Sequence, residues 1–153
     1  MKEKNTTTDK AIVEQSESET MTSDAPIVDA CIAHAREVKA TQLELIASKD
    51  YDFAPEFYEM TIQLYLFGAM WKFAENLGST EGARELAFAA LQMMLIQGGL
   101  HKQKALKRID FLRKMSKLED DHNALAVAIG YESEMGGNSL AGILDHYVGD
   151  TQV

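Results

Sequence analysis

The sequence contains one cysteine, Cys31, and two prolines among its 153 residues, and it has no long apolar run. A single cysteine excludes an internal disulfide framework, as well as a zinc or iron–sulfur site built from several cysteines. No segment reaches the ~18 consecutive apolar residues of a transmembrane helix, so we predict no membrane span. Residues 1–10 also lack the apolar core of a secretory signal peptide. We therefore expect a cytoplasmic protein.

The sequence also lacks the short motifs that carry familiar catalytic chemistry. It has no glycine-rich phosphate loop, no G-x-S-x-G elbow and no H-E-x-x-H motif. One Glu-x-x-His spacing joins Glu119 to His122, but a di-iron bundle needs two such motifs. Cys31 and His34 lie one turn apart on or beside an apolar stripe, which favours core packing over a nucleophilic pair. We predict no metal, no cofactor and no catalytic residue, which favours a protein that is not an enzyme.

The periodicity of apolar residues is helical from residue 23 onward, and the length suits a single domain. Residues 1–22 are polar and are predicted to form a flexible tail, because they cannot bury enough apolar surface to order themselves. Domain 23–153 is predicted to be an all-α antiparallel bundle of five or six helices. The predicted helices cover 23–48, 55–77, 83–96 after a cap at Ser79 or Thr80, 100–118, about 121–130 or 121–135, and 140–148.

Aromatic residues are concentrated in one segment, since eight of the twelve lie within residues 51–73. The helix that begins at Pro55 has two apolar stripes, whereas a surface helix has one. Such a helix is either central in the bundle or shared between the core and a partner. The first alternative predicts a large aromatic core. The second predicts an interface, because aromatic and methionine side chains suit interface centres. The candidate interface residues are Tyr58, Tyr65, Phe67, Trp71 and Met94.

Charge is unevenly distributed along this acidic chain, whose formal net charge is −9. Residues 101–118 contain seven Lys or Arg and one acid, whereas residues 119–153 contain seven acids and no Lys or Arg. The basic helix is amphipathic, with a cationic outer face. That face could pair internally with the acidic C-terminal segment, dock an acidic protein, or bind nucleic acid or an anionic membrane. The candidate docking residues are Lys107, Arg108, Lys114 and Lys117.

The segment Leu125–Gly130 has the Ala-x-x-x-Gly spacing of a helix-turn-helix DNA-binding unit, with Ala126 four residues before Gly130. A recognition helix with basic or amide side chains should follow the glycine. Glu132 and Glu134 follow instead, and no Lys or Arg comes after them. We therefore interpret Gly130 as the residue that terminates a helix.

These features favour a non-enzymatic helical module that binds another protein, such as an adaptor, a chaperone-like factor or an inhibitor. Self-association as a homodimer, through the second and third helices, is the predicted mode. Complete burial of the five candidate interface residues would contradict it. One alternative is a regulatory nucleic-acid-binding protein that uses helix 101–118. A second is a small-ligand-binding bundle, whose sign would be a deep pocket lined by Tyr65 and Trp71.

Overall fold

Six helices hold most of the residues that the computed structural model describes, which are 25–47, 49, 51–78, 81–117, 121–132 and 140–145. The helices are α1 (25–46), α2 (Pro55–Asn76), α3 (Ala83–Gln97), α4 (Lys102–Lys117), α5 (Asp121–Glu132) and α6 (140–145). No strand occurs in these described ranges, and the predicted single-domain helical bundle is confirmed. The predicted tail, residues 1–22, lies outside the described residues.

The ends of α2 and α3 follow from local backbone chemistry. Pro55 occupies the first turn of α2, where its missing N–H costs no hydrogen bond. Gly78 follows the end of α2 with a φ of +101°, and Gly99 follows α3 with a φ of +104°. At α3, the Gly99 N–H donates to the Ile96 carbonyl and the Leu100 N–H donates to the Leu95 carbonyl. This pair of bonds is a Schellman motif, which needs the left-handed conformation that glycine adopts freely.

α2 is the central helix of the bundle. It contacts α3, α4 and α5 along its length. α1 packs on a further side, where the Cys31 thiol lies 3.8 Å from the carbonyl oxygen of Met70 and the His34 ring stacks on Phe73 at 4.3 Å. Because neighbours pack on several sides of α2, the middle of the helix is buried on both of its apolar stripes.

Two glycines allow α2 and α5 to cross with their backbones in direct contact. A Cβ atom on Gly68 would lie 2.2 Å from the carbonyl oxygen of Val127, and one on Gly130 would lie 2.1 Å from that of Tyr65. Only glycine fits at either position, because a methyl group would overlap the facing backbone. The interpretation of Gly130 as a helix terminator is wrong, since α5 continues through it to Glu132. Its lack of a side chain serves the approach of α5 to α2.

Polar contacts attach α6 to α1 and to the segment before α2. The side-chain oxygen of buried Gln42 accepts a hydrogen bond from the Leu140 N–H at 3.0 Å. This bond satisfies a donor that has no partner within its own helix. The Tyr51 hydroxyl donates to the Asp145 carboxylate at 2.6 Å, and the Lys49 ammonium lies 2.6 Å from the same carboxylate.

We expect the substitutions Gly68→Ala and Gly130→Ala each to destabilise the fold. Overpacking costs about 1–3 kcal/mol or more, and it outweighs the gain of about 1 kcal/mol that alanine brings to a helix interior. Urea denaturation followed by circular dichroism measures the change. Gly142→Ala in α6 is the matched control, because its Cβ would meet nothing within 4 Å. A loss in the control equal to that at the crossing would contradict the steric explanation.

The attachment of Asp145 predicts a pH-dependent contribution to stability. The hydrogen bond from Lys49, followed by that from Tyr51, lowers the pKa of Asp145. A carboxylate with a lowered native pKa stabilises the fold above its unfolded pKa of about 3.9. That stabilisation disappears as the pH falls through the native value. Asp145→Asn should therefore lower the urea midpoint at pH 7, and the difference from the parent should vanish at the acidic end of a pH series. A constant difference would contradict the linkage.

Candidate functional site

An open groove of about 820 Å³ is bounded by α1, the N-terminal half of α2 and the C-terminal end of α3. Its lining is mainly aliphatic and aromatic, with a few polar side chains. The lining residues are Lys39, Leu43, Phe53, Pro55, Tyr58, Glu59, Ile62, Gln63, Leu66, Leu91, Met94, Leu95, Gly98, Gly99 and Leu100. The volume and the apolar lining are typical of binding sites in proteins.

The groove lies where the neighbours of α2 leave it partly uncovered. Leu64 to Met70, close to the crossing with α5, are all buried. Nearer the N-terminus of α2, Tyr58 and Ile62 are only half-buried. The chain leaves α3 through the Schellman motif at Gly99, so no further turn of α3 covers them. The opening is thus a consequence of where α3 ends.

Gln63, a polar side chain that lines the groove, is already bonded to α4. The Nε atom of Arg108 donates to the Gln63 side-chain oxygen at 2.7 Å, and its Nη1 atom donates to the Glu56 carboxylate. The guanidinium carbon lies 5.1 Å from the centre of the Phe111 ring, where a cation–π contact stabilises it. Near the groove, Arg36 of α1 donates to the side chain of Gln97 in α3.

Two opposite charges remain at the surface of the groove. Lys39 on α1 and Glu59 on α2 are both exposed. Glu59 accepts a hydrogen bond from Gln63 at 3.3 Å, and neither charge forms a salt bridge with any residue that the structure describes. A partner bound in the groove would therefore contact an apolar lining, the Lys39 ammonium and the Glu59 carboxylate.

The structure separates the five candidate interface residues into three groups. Tyr65 and Phe67 are buried in the core, with 0% and 1% of their surface exposed, so they do not belong to a surface open to a partner. Tyr58 and Met94 are half-buried and line the groove together. Trp71 is half-buried outside the groove. For Tyr58, Met94 and Trp71, a role in an interface stays a prediction.

Trp71 belongs to an aromatic and cationic cluster rather than to the groove. Its ring stacks on Phe67 at 5.7 Å and meets the edge of Tyr131 at 5.2 Å. The guanidinium carbon of Arg84 lies 5.9 Å from the Trp71 ring centre. The groove is therefore not the pocket, lined by Tyr65 and Trp71, that would indicate a small-ligand-binding bundle.

The candidate cationic face is only partly a surface. Lys107, Lys114 and Lys117 are exposed, and docking through them stays a prediction. Arg108 is not part of that face, because its side chain is 17% exposed and bonded to α2.

The salt bridges that the structure describes for α4 are made with α2 and α3. Of the acids in 119–153, only Glu132 and Asp145 have described side chains, so internal pairing with that segment stays a prediction. Arg108 pairs with Glu56 of α2, and Arg113 pairs with Glu85 of α3 at 2.7 Å. Within the described ranges, no salt bridge joins α4 to the acidic C-terminal segment. The basic helix is therefore neutralised in part by α2 and α3.

Cys31 is buried in the core, and His34 is half-buried beside it. Burial raises the pKa of the Cys31 thiol to about 11, which leaves it protonated near neutral pH. Burial also lowers the pKa of His34, against a smaller opposing effect of Glu37. Across the described residues, no three His, Cys, Asp or Glu side chains form a group that could hold a metal ion. No described helix combines the length and apolar character that a bilayer crossing requires.

Sequence reasoning missed the α1 side of the groove. The spacing of three and four residues predicts one apolar stripe on that helix, which does not include Leu43: Val28, Cys31, Ile32, Ala35 and Val38. Leu43 and Leu45 are 37% and 43% exposed, off the buried side of α1. Large apolar residues outside the main stripe of a helix were the available signal.

Comparison of the chain with protein-family models, with curated proteins and with solved structures returned no match. The function is therefore inferred from the described geometry.

Burial predicts that Cys31 reacts slowly with a thiol reagent in the folded protein. A rise of the pKa from about 9 to about 11 lowers the thiolate fraction at pH 7.5 about 100-fold, and the thiolate is the reacting form. The reaction of Cys31 with a chromogenic disulfide, followed by absorbance, should therefore be at least about 100-fold slower in buffer than in urea. Equal rates in the two solvents would show that Cys31 is accessible.

Proposed function

We propose that this chain is a protein-interaction module that acts by binding, with the groove between α1, α2 and α3 as its contact surface. The observation that carries the proposal is the meeting of Tyr58 and Met94, from two different helices, in one open apolar groove. Aromatic and methionine side chains bury a large area and adapt their packing, which suits the centre of an interface. A groove of this kind receives an apolar helix face or an extended segment of a partner.

A second copy of the chain is the partner that the surface charges favour. A two-fold symmetric dimer brings the same patch of both copies together, so that a residue on one copy faces a different residue on the other. Lys39 and Glu59 carry opposite charges on two helices of the groove, and both are exposed. A face-to-face arrangement allows the ammonium of each copy to approach the carboxylate of the other.

Sedimentation velocity over a concentration series tests this proposal with two matched pairs of variants. Leu43→Lys and Met94→Lys change the groove, whereas Leu45→Lys and Met93→Lys change exposed residues on the same helices that do not line it. We expect the parent to approach about 34 kDa, twice its 17.0 kDa. Loss of one buried aliphatic contact of about 1.5–3 kcal/mol should raise the dimer dissociation constant about tenfold or more in the groove variants.

The control variants should leave the dissociation constant within about twofold of the parent, because their side chains lie outside the groove. Circular dichroism of each variant checks that the helices are retained. A parent that stays at 17 kDa at every concentration would overturn self-association. Equal weakening by groove and control variants would show that the contact lies elsewhere on the surface.

A further inference from the structure

Two aromatic rings and two cations form a cluster outside the groove, and we call these four residues the ring–cation cluster. Trp71 of α2 and Tyr131 of α5 are both half-buried, and their rings meet at 5.2 Å. The Lys72 ammonium lies 4.9 Å from the centre of the Tyr131 ring, and the guanidinium carbon of Arg84 lies 5.9 Å from that of Trp71. None of the four lines the groove. Three helices thus bring a cation to each ring of an aromatic pair.

The two cations of the cluster form no salt bridge with any residue that the structure describes. The acids next to them in the sequence are engaged elsewhere. Glu75, one turn after Lys72, accepts a hydrogen bond at 2.5 Å from the tyrosine hydroxyl of the cluster. Glu85, beside Arg84, pairs with an arginine of α4 at 2.7 Å. The positive charges of Lys72 and Arg84 are therefore available to an external anion.

The composition of the ring–cation cluster fits single-stranded nucleic acid better than other polyanions. A nucleic acid strand alternates phosphates, which cations bind, with bases, which stack on aromatic rings and on guanidinium planes. An acidic peptide would engage the two cations and make no use of the rings. An anionic bilayer is bound by apolar side chains that insert into it, whereas Trp71 and Tyr131 are half-buried and in contact with cations.

We propose that the ring–cation cluster is a contact site for single-stranded nucleic acid, with phosphates on Lys72 and Arg84 and a base on the exposed part of the rings. This site is separate from the groove and goes beyond the proposed protein interaction. The net charge of −9 repels a polyanion at long range, so the local contacts hold the strand and the affinity is modest.

The fluorescence of Trp71 tests the site directly, because it is the only tryptophan of the chain. The full-length protein is titrated with an unlabelled oligothymidylate of about 20 nucleotides. We expect saturable quenching with a dissociation constant of about 10–100 μM at about 50 mM salt, the range of binding without sequence preference. Two phosphate contacts predict a slope of about −1.4 for the logarithm of the association constant against that of the salt concentration.

Substitutions in the cluster should change both the affinity and the salt dependence. Lys72→Gln and Arg84→Gln each remove one phosphate contact, so each should weaken binding about fivefold to tenfold and reduce the slope by about 0.7. Arg84→Lys keeps the charge but removes the guanidinium plane, so it should keep the slope and weaken binding about fivefold or more. Lys104→Gln is the matched control, because it removes an exposed charge of α4 outside the cluster, and it should change the affinity less than about twofold.

Circular dichroism of each variant checks that the helices are retained, and Lys72→Gln keeps the test decisive if the Arg84 variants lose them. Unchanged Trp71 fluorescence in the parent would overturn the inference. Equal weakening by Lys72→Gln and Lys104→Gln would overturn it too, because binding would then follow the total charge of the chain. Equal affinity for polyglutamate would assign the surface to acidic protein, and binding only to vesicles with about 30% phosphatidylserine would assign it to lipid.

Discussion

The contact between the backbones of α2 and α5 is the constraint on which the rest of the bundle depends. Gly68 and Gly130 face the opposite backbone, so the two helices approach more closely than side chains would allow. This close crossing encloses the middle of α2, where Leu64 to Met70 are buried. The apolar surface of α2 that lies beyond the crossing is left to α1 and α3, which cover it incompletely and form the groove.

Features governed by neighbours in sequence could be predicted, and features governed by distant contacts could not. Pro55, Gly78 and Gly99 mark helix ends because their effect is on the local backbone. Gly130 was misinterpreted because a glycine can end a helix or admit another helix, and the residue whose backbone it faces, Tyr65, lies far away in the chain. The predicted cap residues of α3, Ser79 or Thr80, lie outside the described residues, and the helix begins at Ala83 after Gly82, which forms no side-chain cap.

The candidate site shows the same division. Tyr58 and Tyr65 lie on the same helix, and both seemed equally suited to an interface by composition. Only Tyr65 sits opposite α5, and its burial follows from that crossing. Arg108 shares a helix with exposed lysines, but its guanidinium reaches Gln63 on another helix. Charge and apolar patterns therefore identify the side chains that can take part in binding, whereas tertiary packing decides which of them remain available.

The buried side chain of Gln42 gives α6 a fixed alignment. Apolar packing alone tolerates sliding of a short helix by one turn, because one aliphatic side chain can replace another. The hydrogen bond from the Leu140 N–H to the Gln42 amide oxygen does not tolerate it, since a shift would leave both polar atoms without that bond in an apolar interior. A single interior amide thus sets the longitudinal position of the last described helix.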